Sequence, residues 1–248
     1  MTDRDNDRRV SARRWAEDSK SFERTAWRLP DGVGGFNITA ACTKQLNIFS
    51  YFVGEGNPRA AKGFLHFERT FFTHRGIGPN NDTYTCPARS AKQKFPVCDW
   101  VAKEQRRTLT EAEGKIVKAL VPKKRQLFLV HDLAAPDKPV QIWDYSFHLF
   151  GRQLAARIEL SLPTQGYEYF ADPKEGKTIL VSFTEKPTGF GKPCYEAAAF
   201  DFLPRDPISK AFTKGLPCLD DLLIILPYTE LREIFMQTAE ESPPVEGE

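Results

Sequence analysis

The stretch QLFLVHDLAAPDKPVQIWDYSF, residues 126–147, contains two apolar runs separated by a segment with two prolines. The runs at residues 126–130 and 140–147 are rich in β-branched and aromatic residues, which is typical of strands, and the prolines between them indicate a long turn. In the second run, three aromatic residues alternate with other types and therefore fall on one face of a strand. The stretch predicts a β hairpin, which a helix from Leu149 to Ile158 would close.

The rest of the chain predicts further short strands and short helices. Thr110 and Glu113 have the spacing of a capping box before a short helix that ends at Pro122, and Pro227 suits the start of another helix. With 30 aromatic rings, 18 prolines and 16 glycines, the composition favours a mainly β, α+β fold over a helical bundle. The additional strands are expected at residues 46–53, 64–72 and 178–184.

Two segments lack any apolar period and are expected to be loops. Residues 73–100 contain Gly, Pro, Asn, Cys and His, and a loop of that length needs some other support. Residues 188–195, TGFGKPCY, are expected to form a flexible loop that carries two aromatic rings.

Composition excludes several classes of protein. No apolar run approaches the roughly 20 residues that a helix needs to span a bilayer. The charged N-terminal residues are not followed by an apolar stretch, so no secretory signal is expected and the predicted location is the cytoplasm. Five scattered cysteines are too few for a secreted disulfide scaffold, and they are expected to be reduced thiols or metal ligands.

The net charge of +2 hides an uneven distribution along the chain. Residues 219–248 hold eight acids and one base, a net charge of −7, which leaves +9 on residues 1–218. Residues 89–125 alone hold eleven bases against four acids. A basic body with an acidic end suits a protein that meets a polyanion and also meets other proteins, although a single charge run is equally compatible with a solvated surface. Because sequence-tolerant single-strand binders combine a basic groove with stacking rings, the aromatic surplus favours the polyanion interpretation.

The same patterns divide the chain into three parts. Residues 1–30 are polar and rich in arginine, which predicts a basic N-terminal arm. Residues 31–238 are the predicted core, and within them residues 73–125 form a loop-rich subdomain. Residues 239–248 are the predicted acidic, disordered tail.

His74, Cys86 and Cys98 are spaced twelve residues apart within the predicted loop. Imidazole and thiolate are the ligands that structural zinc prefers, and a metal would explain how this segment is held. A closed structural site needs four ligands, however, and the pattern supplies three. The alternative is that these cysteines are small buried apolar residues.

No pattern in the chain indicates an enzyme. His131 and Asp132 are neighbours on a predicted strand and therefore point to opposite faces, which argues against a catalytic dyad. The glycines of DGVGG, residues 31–35, lack the Lys-Ser/Thr of a phosphate-binding loop and are expected to form a turn.

Three segments together resemble a known family. They are ACTKQLNIFSYFV (41–53), HRGIGPNNDTYTCPARSAKQKFPVCDWVAKE (74–104) and LFLVHDLAAPDKPVQIWDYSFHLFGRQL (127–154). In their order they are similar to the helix-destabilising, single-stranded DNA-binding proteins of T-even and related bacteriophages, the gene-thirty-two type, over roughly residues 25–235. The resemblance implies an OB-fold barrel with a zinc-bearing subdomain, a basic arm for cooperative binding along DNA, and an acidic tail for partner proteins.

The resemblance also assigns site residues. It implies zinc ligands at His74, Cys86 and Cys98, whereas the fourth cysteine of the family corresponds to Phe95 here. Either His66 or Cys42 replaces that ligand, or the loop has lost its metal and packs Phe95 instead. Lys123 and Lys124 stand where the family offers aromatic residues, and the DNA-stacking rings correspond to Tyr145, Phe190 and Tyr195.

Taken together, the sequence predicts a non-enzymatic protein that coats single-stranded DNA without sequence preference. It would act in phage DNA replication, recombination and repair in the cytoplasm of an infected bacterium, and its acidic tail would bind replication or recombination proteins. Two alternatives stay open, a protein-interaction adaptor with a basic face and a metal-dependent nucleic-acid enzyme. The expected phosphate contacts are Arg106, Arg107, Lys118, Lys123, Lys124 and Arg125.

Overall fold

A computed structural model describes residues 26–187, 193–209 and 213–240 of the chain. These residues form two compact units. The first unit contains residues 26–28, 72–123 and 223–240, and the second contains residues 29–71 and 124–222 as far as they are described. The segment predicted to be a loop-rich subdomain, 73–125, therefore belongs largely to the first unit.

The described residues form a mixed α/β structure in which strands predominate. The strands are β1 (Gly35–Phe36), β2 (Cys42–Phe49), β3 (Tyr51–Phe52), β4 (Leu65–His66), β5 (Arg69–Ile77), β6 (Asp82–Thr85), β7 (Lys123–Asp132), β8 (Gln141–Ser146), β9 (Lys177–Lys186) and β10 (Cys194–Pro204). The helices are α1 (Pro87–Ala91), α2 (Pro96–Glu104), α3 (Glu111–Leu120), α4 (Arg152–Glu159) and α5 (Tyr228–Glu240). A π-helical turn, Phe147–Gly151, precedes α4.

The second unit is built on a mixed sheet whose strands follow the order β1-β8-β7-β2-β9-β10. The strands pair antiparallel except for β1, which runs parallel to β8. The predicted hairpin is confirmed as β7 and β8, with Phe128 opposite Trp143. Within the described part of the chain, no pairing joins β10 back to β1, so the sheet is not recorded as a closed barrel.

Aromatic side chains fill the core of the second unit. Trp143 is fully buried, and its ring centroid lies 4.5 Å from that of Phe150 and 5.6 Å from that of Phe128. The predicted helix at residues 149–158 is present as the π-helical turn followed by α4, and Gly151 at their junction packs tightly. A Cβ at Gly151 would lie 1.8 Å from Gln126 Oε1, so this close approach requires glycine.

The predicted strand at residues 46–53 appears as β2 and β3, and the strand at residues 64–72 appears as β4 and the first part of β5. The strands β3 and β4 pair with each other, and Phe52 lies opposite Leu65. The strand predicted at residues 178–184 is the centre of β9.

The first unit corrects the prediction that residues 73–100 form a loop. β5 continues to Ile77 and pairs with β6, and two helices follow. Pro87 and Pro96 both lie in the first turns of these helices, where a missing N–H costs nothing. The sequence analysis treated these prolines as loop residues, although proline also marks helix starts.

Other predictions for the first unit hold. The capping box is present, since Thr110 accepts a hydrogen bond from the Glu113 backbone N–H and the Glu113 carboxylate accepts one from the Thr110 backbone N–H. The helix predicted after Pro227 is α5, and it continues to Glu240, two residues into the predicted tail. Among the described residues, no helix combines the length and apolar content that crossing a membrane requires.

Some predictions fall on residues outside the described ranges. These are most of the arm at residues 1–30, residues 241–248 of the tail, and residues 188–192 of the predicted loop, which include Phe190. Tyr195, which was predicted in the same loop, instead lies in β10 opposite Glu185 of β9. The strand begins at Cys194 because a long antiparallel partner, β9, continues alongside it to Lys186.

Candidate functional sites

The first candidate site is a cluster of nitrogen and sulfur ligands in the first unit. His74 of β5, Cys86 before α1 and Cys98 of α2 bring their donor atoms within 4.8 Å of one another. The Cys86 and Cys98 sulfurs are 3.4 Å apart, and His74 Nε2 lies 3.3 Å from the Cys98 sulfur. Donors around one zinc ion lie about 3.5–3.8 Å apart, so the three predicted ligands are close to metal-binding positions.

A backbone hydrogen bond orients the imidazole of His74. Its Nδ1 lies 2.6 Å from the carbonyl oxygen of Leu120, at the end of α3. Because a carbonyl only accepts, Nδ1 carries the proton and Nε2 is left with a lone pair that faces Cys98. Such an outer contact is the usual way in which proteins fix the tautomer of a metal-binding histidine.

The cluster also changes the acidity of its thiols. The hydrogen bond from Cys98 lowers the pKa of the Cys86 thiol, against the opposing effect of burial. The same interaction raises the pKa of Cys98, since a second thiolate beside the first is unfavourable. Cys86 is therefore the thiol that most readily becomes a thiolate, which is the form that binds metals.

No fourth ligand joins this cluster among the described residues. Phe95 is fully buried beside it, with its ring centroid 4.8 Å from that of His74 in an edge-on contact. The two suggested substitutes belong to the second unit, where His66 lies 3.7 Å from Glu68 and Cys42 packs against the sheet core. Phe95 is therefore packed where the fourth ligand was sought, while the three predicted ligands still converge beside it.

The predicted phosphate contacts divide between the two units. In the first unit Arg106, Lys118 and Lys123 are exposed. Arg107 is also exposed, but its guanidinium contacts the carboxylates of Glu104 and Glu113. These four residues remain available to an anion, with Arg107 the most compensated of them.

In the second unit Lys124 and Arg125 are neighbours in β7 with different surroundings. Arg125 Nε donates to Asp144 Oδ1 over 2.7 Å, and both side chains are mostly buried. Lys124 Nζ instead lies 3.2 Å from the centre of the Phe147 ring, a cation–π contact. The charge of Arg125 is paired with the Asp144 carboxylate, whereas that of Lys124 lies over the face of the Phe147 ring.

The predicted stacking rings Tyr145 and Tyr195 are both half-buried. Tyr145 packs edge-on against Phe150 and Phe183, and its hydroxyl donates to the carbonyl oxygen of Tyr195. Burial raises the pKa of the Tyr145 hydroxyl. Both rings pack against the core of the second unit, so only part of each faces solvent.

The second candidate site, which the sequence analysis missed, is the hairpin of β3 and β4. Three large apolar side chains on it are exposed, Phe52 at 68 %, Phe64 at 67 % and Leu65 at 52 %. The connecting loop carries Arg59 and Lys62, and Lys62 pairs with Glu55 over 2.5 Å at an exposed position. The available signal was a cluster of aromatic residues and bases around a glycine- and proline-containing turn, YFVGEGNPRAAKGFLH, residues 51–66. We refer to residues 51–66 as the aromatic hairpin.

A buried polar network holds the base of the aromatic hairpin. Arg69 Nε and Asp220 Oδ1 form an ion pair of 2.6 Å, in which the two side chains are only 2 % and 1 % exposed. Asp220 also accepts hydrogen bonds from the Tyr51 hydroxyl and from the Gly54 backbone N–H. Burial and the Asp220 carboxylate raise the pKa of Tyr51, which keeps it a hydrogen-bond donor. The exposed rings therefore stand on a fixed support.

Comparison of the chain with models of known protein families gives no match, and neither does comparison with curated protein sequences. The functional argument consequently rests on the residues and their geometry.

Proposed function

We propose that the protein binds single-stranded DNA without strong sequence preference, acts in DNA replication, recombination and repair of a bacteriophage, and catalyses no reaction. The observation that carries this proposal is the aromatic hairpin, which exposes Phe52 and Phe64 and carries Arg59 and Lys62 in its connecting loop. Unpaired nucleobases offer flat faces that stack on such rings, and the DNA phosphates pair with nearby lysine and arginine side chains.

The exposure of the hairpin favours a binding role over a structural one. Large exposed apolar side chains that lie together, as Phe52 and Leu65 do across the two strands, mark interaction surfaces, because a packing role would bury them. The buried Arg69–Asp220 ion pair fixes the hairpin base, so ordering the rings for binding costs little additional conformational entropy. A rigid ring platform next to cationic side chains suits single strands, since a duplex hides the base faces.

Further cations extend this surface within the second unit. Lys124 is held over Phe147, which combines a positive charge and a ring at one place. In the first unit, Arg106, Lys118 and Lys123 offer exposed positive charges. These residues and Arg107 are the proposed phosphate contacts, and Arg125 is the least suited of the predicted set because it is paired with Asp144.

The fold and the partners complete the proposal. The mixed sheet of the second unit is consistent with an OB-fold whose hairpin and sheet face a strand of DNA. The acidic end of the chain is proposed to bind replication or recombination proteins, and the basic N-terminal segment to support self-association along DNA.

Zinc at the cluster of His74, Cys86 and Cys98 is also part of the proposal. The donor set, the spacing of its atoms and the tautomer of His74 all suit zinc. Only three protein ligands converge among the described residues, and Phe95 packs beside them in a hydrophobic cluster of its own. Zinc would therefore add stability to a segment that already has an apolar core, rather than supply the whole of its folding energy.

Fluorescence anisotropy with a labelled dT oligonucleotide and with a duplex of equal length tests the function. We expect tighter binding of the single strand, and an affinity that falls steeply with salt. Replacing Phe52 and Phe64 with alanine should weaken single-strand binding by about tenfold or more, since one stacked base contributes roughly 1–3 kcal/mol. Leu162→Ala is the matched control, because Leu162 is 65 % exposed and lies outside the hairpin.

Equal affinity for both DNA forms, or equal binding by wild type and the Phe52/Phe64 variant, would contradict stacking on the hairpin. If the protein binds no DNA at low salt, the exposed hairpin becomes a surface for a protein partner, which is the adaptor alternative.

A further inference from the structure

A cavity of about 600 Å³ lies in the second unit, next to the loop of the aromatic hairpin. Its walls come from β7, the π-helical turn and α4, together with the residues that connect β4 and β5. The apolar side is formed by Phe67, Phe147, Leu154 and Ile158. Its size and its apolar side, which includes two half-buried phenylalanines, suit a small planar ligand.

Two cations stand at this cavity, Arg59 and Lys124. Burial lowers the pKa of Lys124 and the nearby Arg59 lowers it further, while Glu68 acts in the opposite direction. Two like charges held close together gain from a shared anion, and a phosphate is the anion that a nucleic-acid strand provides. Lys124 also lies directly over Phe147, so the cation and the ring are on the same side of the cavity.

Hydrogen-bond acceptors line the cavity as well. Glu68 is only 4 % exposed; burial opposes its ionisation, but hydrogen bonds, chiefly from His66 and Thr70, outweigh burial and lower its pKa. Glu159 and Glu168 line the cavity at exposed positions. Gln126 Oε1 is buried against Gly151 without a hydrogen-bond partner. Three carboxylates and two cations thus line the cavity around its apolar wall.

From this arrangement we infer that the cavity binds one nucleotide whose base carries an exocyclic amino group, with its phosphate at Arg59 and Lys124 and its base against the apolar side formed by Phe67, Leu154 and Ile158. The inference rests on the proposed function and adds a base preference to it. Guanine is the preferred base, because its edge presents two adjacent donors, N1–H and the N2 amino group, to carboxylates. Thymine is the poorest base, because its single donor lies between two carbonyl oxygens that carboxylates repel.

Oligonucleotides of dT with one central dT, dG or deoxyinosine test the inference by anisotropy titration. We expect the dG strand to bind about tenfold more tightly than the all-dT strand, in the range of about 1–3 kcal/mol found for discrimination between bases. Deoxyinosine differs from dG only in lacking the amino group, and it should lose most of that gain. Competition with free dGMP distinguishes a site for a base within a strand from a site for free nucleotides, and the strand should bind more tightly.

The variant Glu159→Ala/Glu168→Ala removes two exposed carboxylates at the cavity without disturbing its buried side. It should bind the all-dT strand somewhat more tightly, since negative charge is lost, and reduce the preference for dG to less than about twofold. Glu185→Ala is the matched control, because Glu185 is an exposed carboxylate of β9 outside the cavity, and it should keep the dG preference.

The outcomes separate the two proposals. If no oligonucleotide binds, the proposed function fails and the inference fails with it. If the all-dT strand binds but dG gives no gain over dT or deoxyinosine, only the inference is overturned. If a dG preference exists and survives in the Glu159→Ala/Glu168→Ala variant, the preference belongs to another site and the assignment to this cavity is wrong.

Discussion

The aromatic hairpin and the His/Cys cluster place their side chains in opposite ways. The hairpin exposes Phe52 and Phe64 to solvent, whereas the cluster buries His74, Cys86 and a phenylalanine, Phe95. Exposed apolar groups and buried polar groups are both unusual, and each indicates a role that packing alone does not explain. The difference teaches that the phenylalanines of this chain cannot be treated alike, because one set faces solvent and the other forms a core.

The two regions also differ in what holds them. The cluster lies in a hydrophobic core that includes Phe95, Val97 and Leu231, so apolar burial stabilises it. The aromatic hairpin has its large apolar groups outside, and a buried ion pair between Arg69 and Asp220 supports its base. The stability of the first region should therefore depend on buried apolar side chains, and that of the second on the buried ion pair.

The largest expected effect comes from breaking the support of the hairpin. Asp220→Ala leaves the Arg69 guanidinium buried without its carboxylate and removes the acceptor of Tyr51. Loss of one partner of a buried ion pair costs about 3–5 kcal/mol, measured as a lower free energy of unfolding in urea. Asp221→Ala is the control, because Asp221 is exposed, and it should change the stability by less than about 0.5 kcal/mol. Similar losses in the two variants would show that the network does not support the hairpin.

The second prediction compares the same substitution at a buried phenylalanine and at an exposed one. Phe95→Cys should destabilise the metal-free protein by about 2–4 kcal/mol, since a buried ring is lost. Added zinc should restore much of that stability, because the new thiol offers a fourth ligand beside His74. Phe52→Cys makes the same change at an exposed ring and should leave the unfolding free energy nearly unchanged.

Metal analysis accompanies this comparison. Wild-type protein purified without chelator is expected to hold about one zinc per chain, which Cys98→Ser should remove. Chelation should lower the melting temperature of the wild type less than that of the zinc-loaded Phe95→Cys variant. A wild-type protein that unfolds entirely on chelation would contradict the account of an apolar core that stands without the metal.

The sequence predicted much of the sheet of the second unit and three of the helices, but not the strands and helices of residues 73–100. The hairpin of β7 and β8 followed from alternation around a long turn, and α3 followed from a capping box whose two residues lie three positions apart. Such local signals survive in the fold because they depend on neighbours along the chain. The strands and helices of residues 73–100 did not follow, since their stabilising contacts come from distant residues such as Leu231.

The candidate sites were predictable to different degrees. The three predicted metal ligands were identified by residue type and spacing, and their donor atoms do converge. The exposure of Phe52 and Phe64 could not be derived, because a phenylalanine in a strand is usually buried and its solvent exposure depends on the tertiary fold. For the same reason, the sequence alone could not show that Arg125, one of three consecutive basic residues, pairs with Asp144.

The smallest expected effect distinguishes two of these consecutive basic residues, Lys124 and Arg125. Lys124→Ala should reduce the slope of log affinity against log salt by about 0.7 on a single strand, the value for one lost phosphate contact. Arg125→Met should leave that slope unchanged and lower stability instead, since Arg125 is paired inside the protein. Salt titrations of both variants with a dT oligonucleotide measure the difference. Equal slopes for the two variants would mean that Lys124 contacts no phosphate.

The central claim is that bases stack on the aromatic hairpin, and photocrosslinking tests it most directly. A dT oligonucleotide with one 5-iodouracil is irradiated on the full-length protein, and the attached peptide is identified by mass spectrometry after tryptic digestion. The account predicts attachment in residues 45–59, which contain Phe52, and in residues 63–69, which contain Phe64. Attachment confined to the peptides that contain Tyr145 or Tyr195, with none in the hairpin, would contradict it.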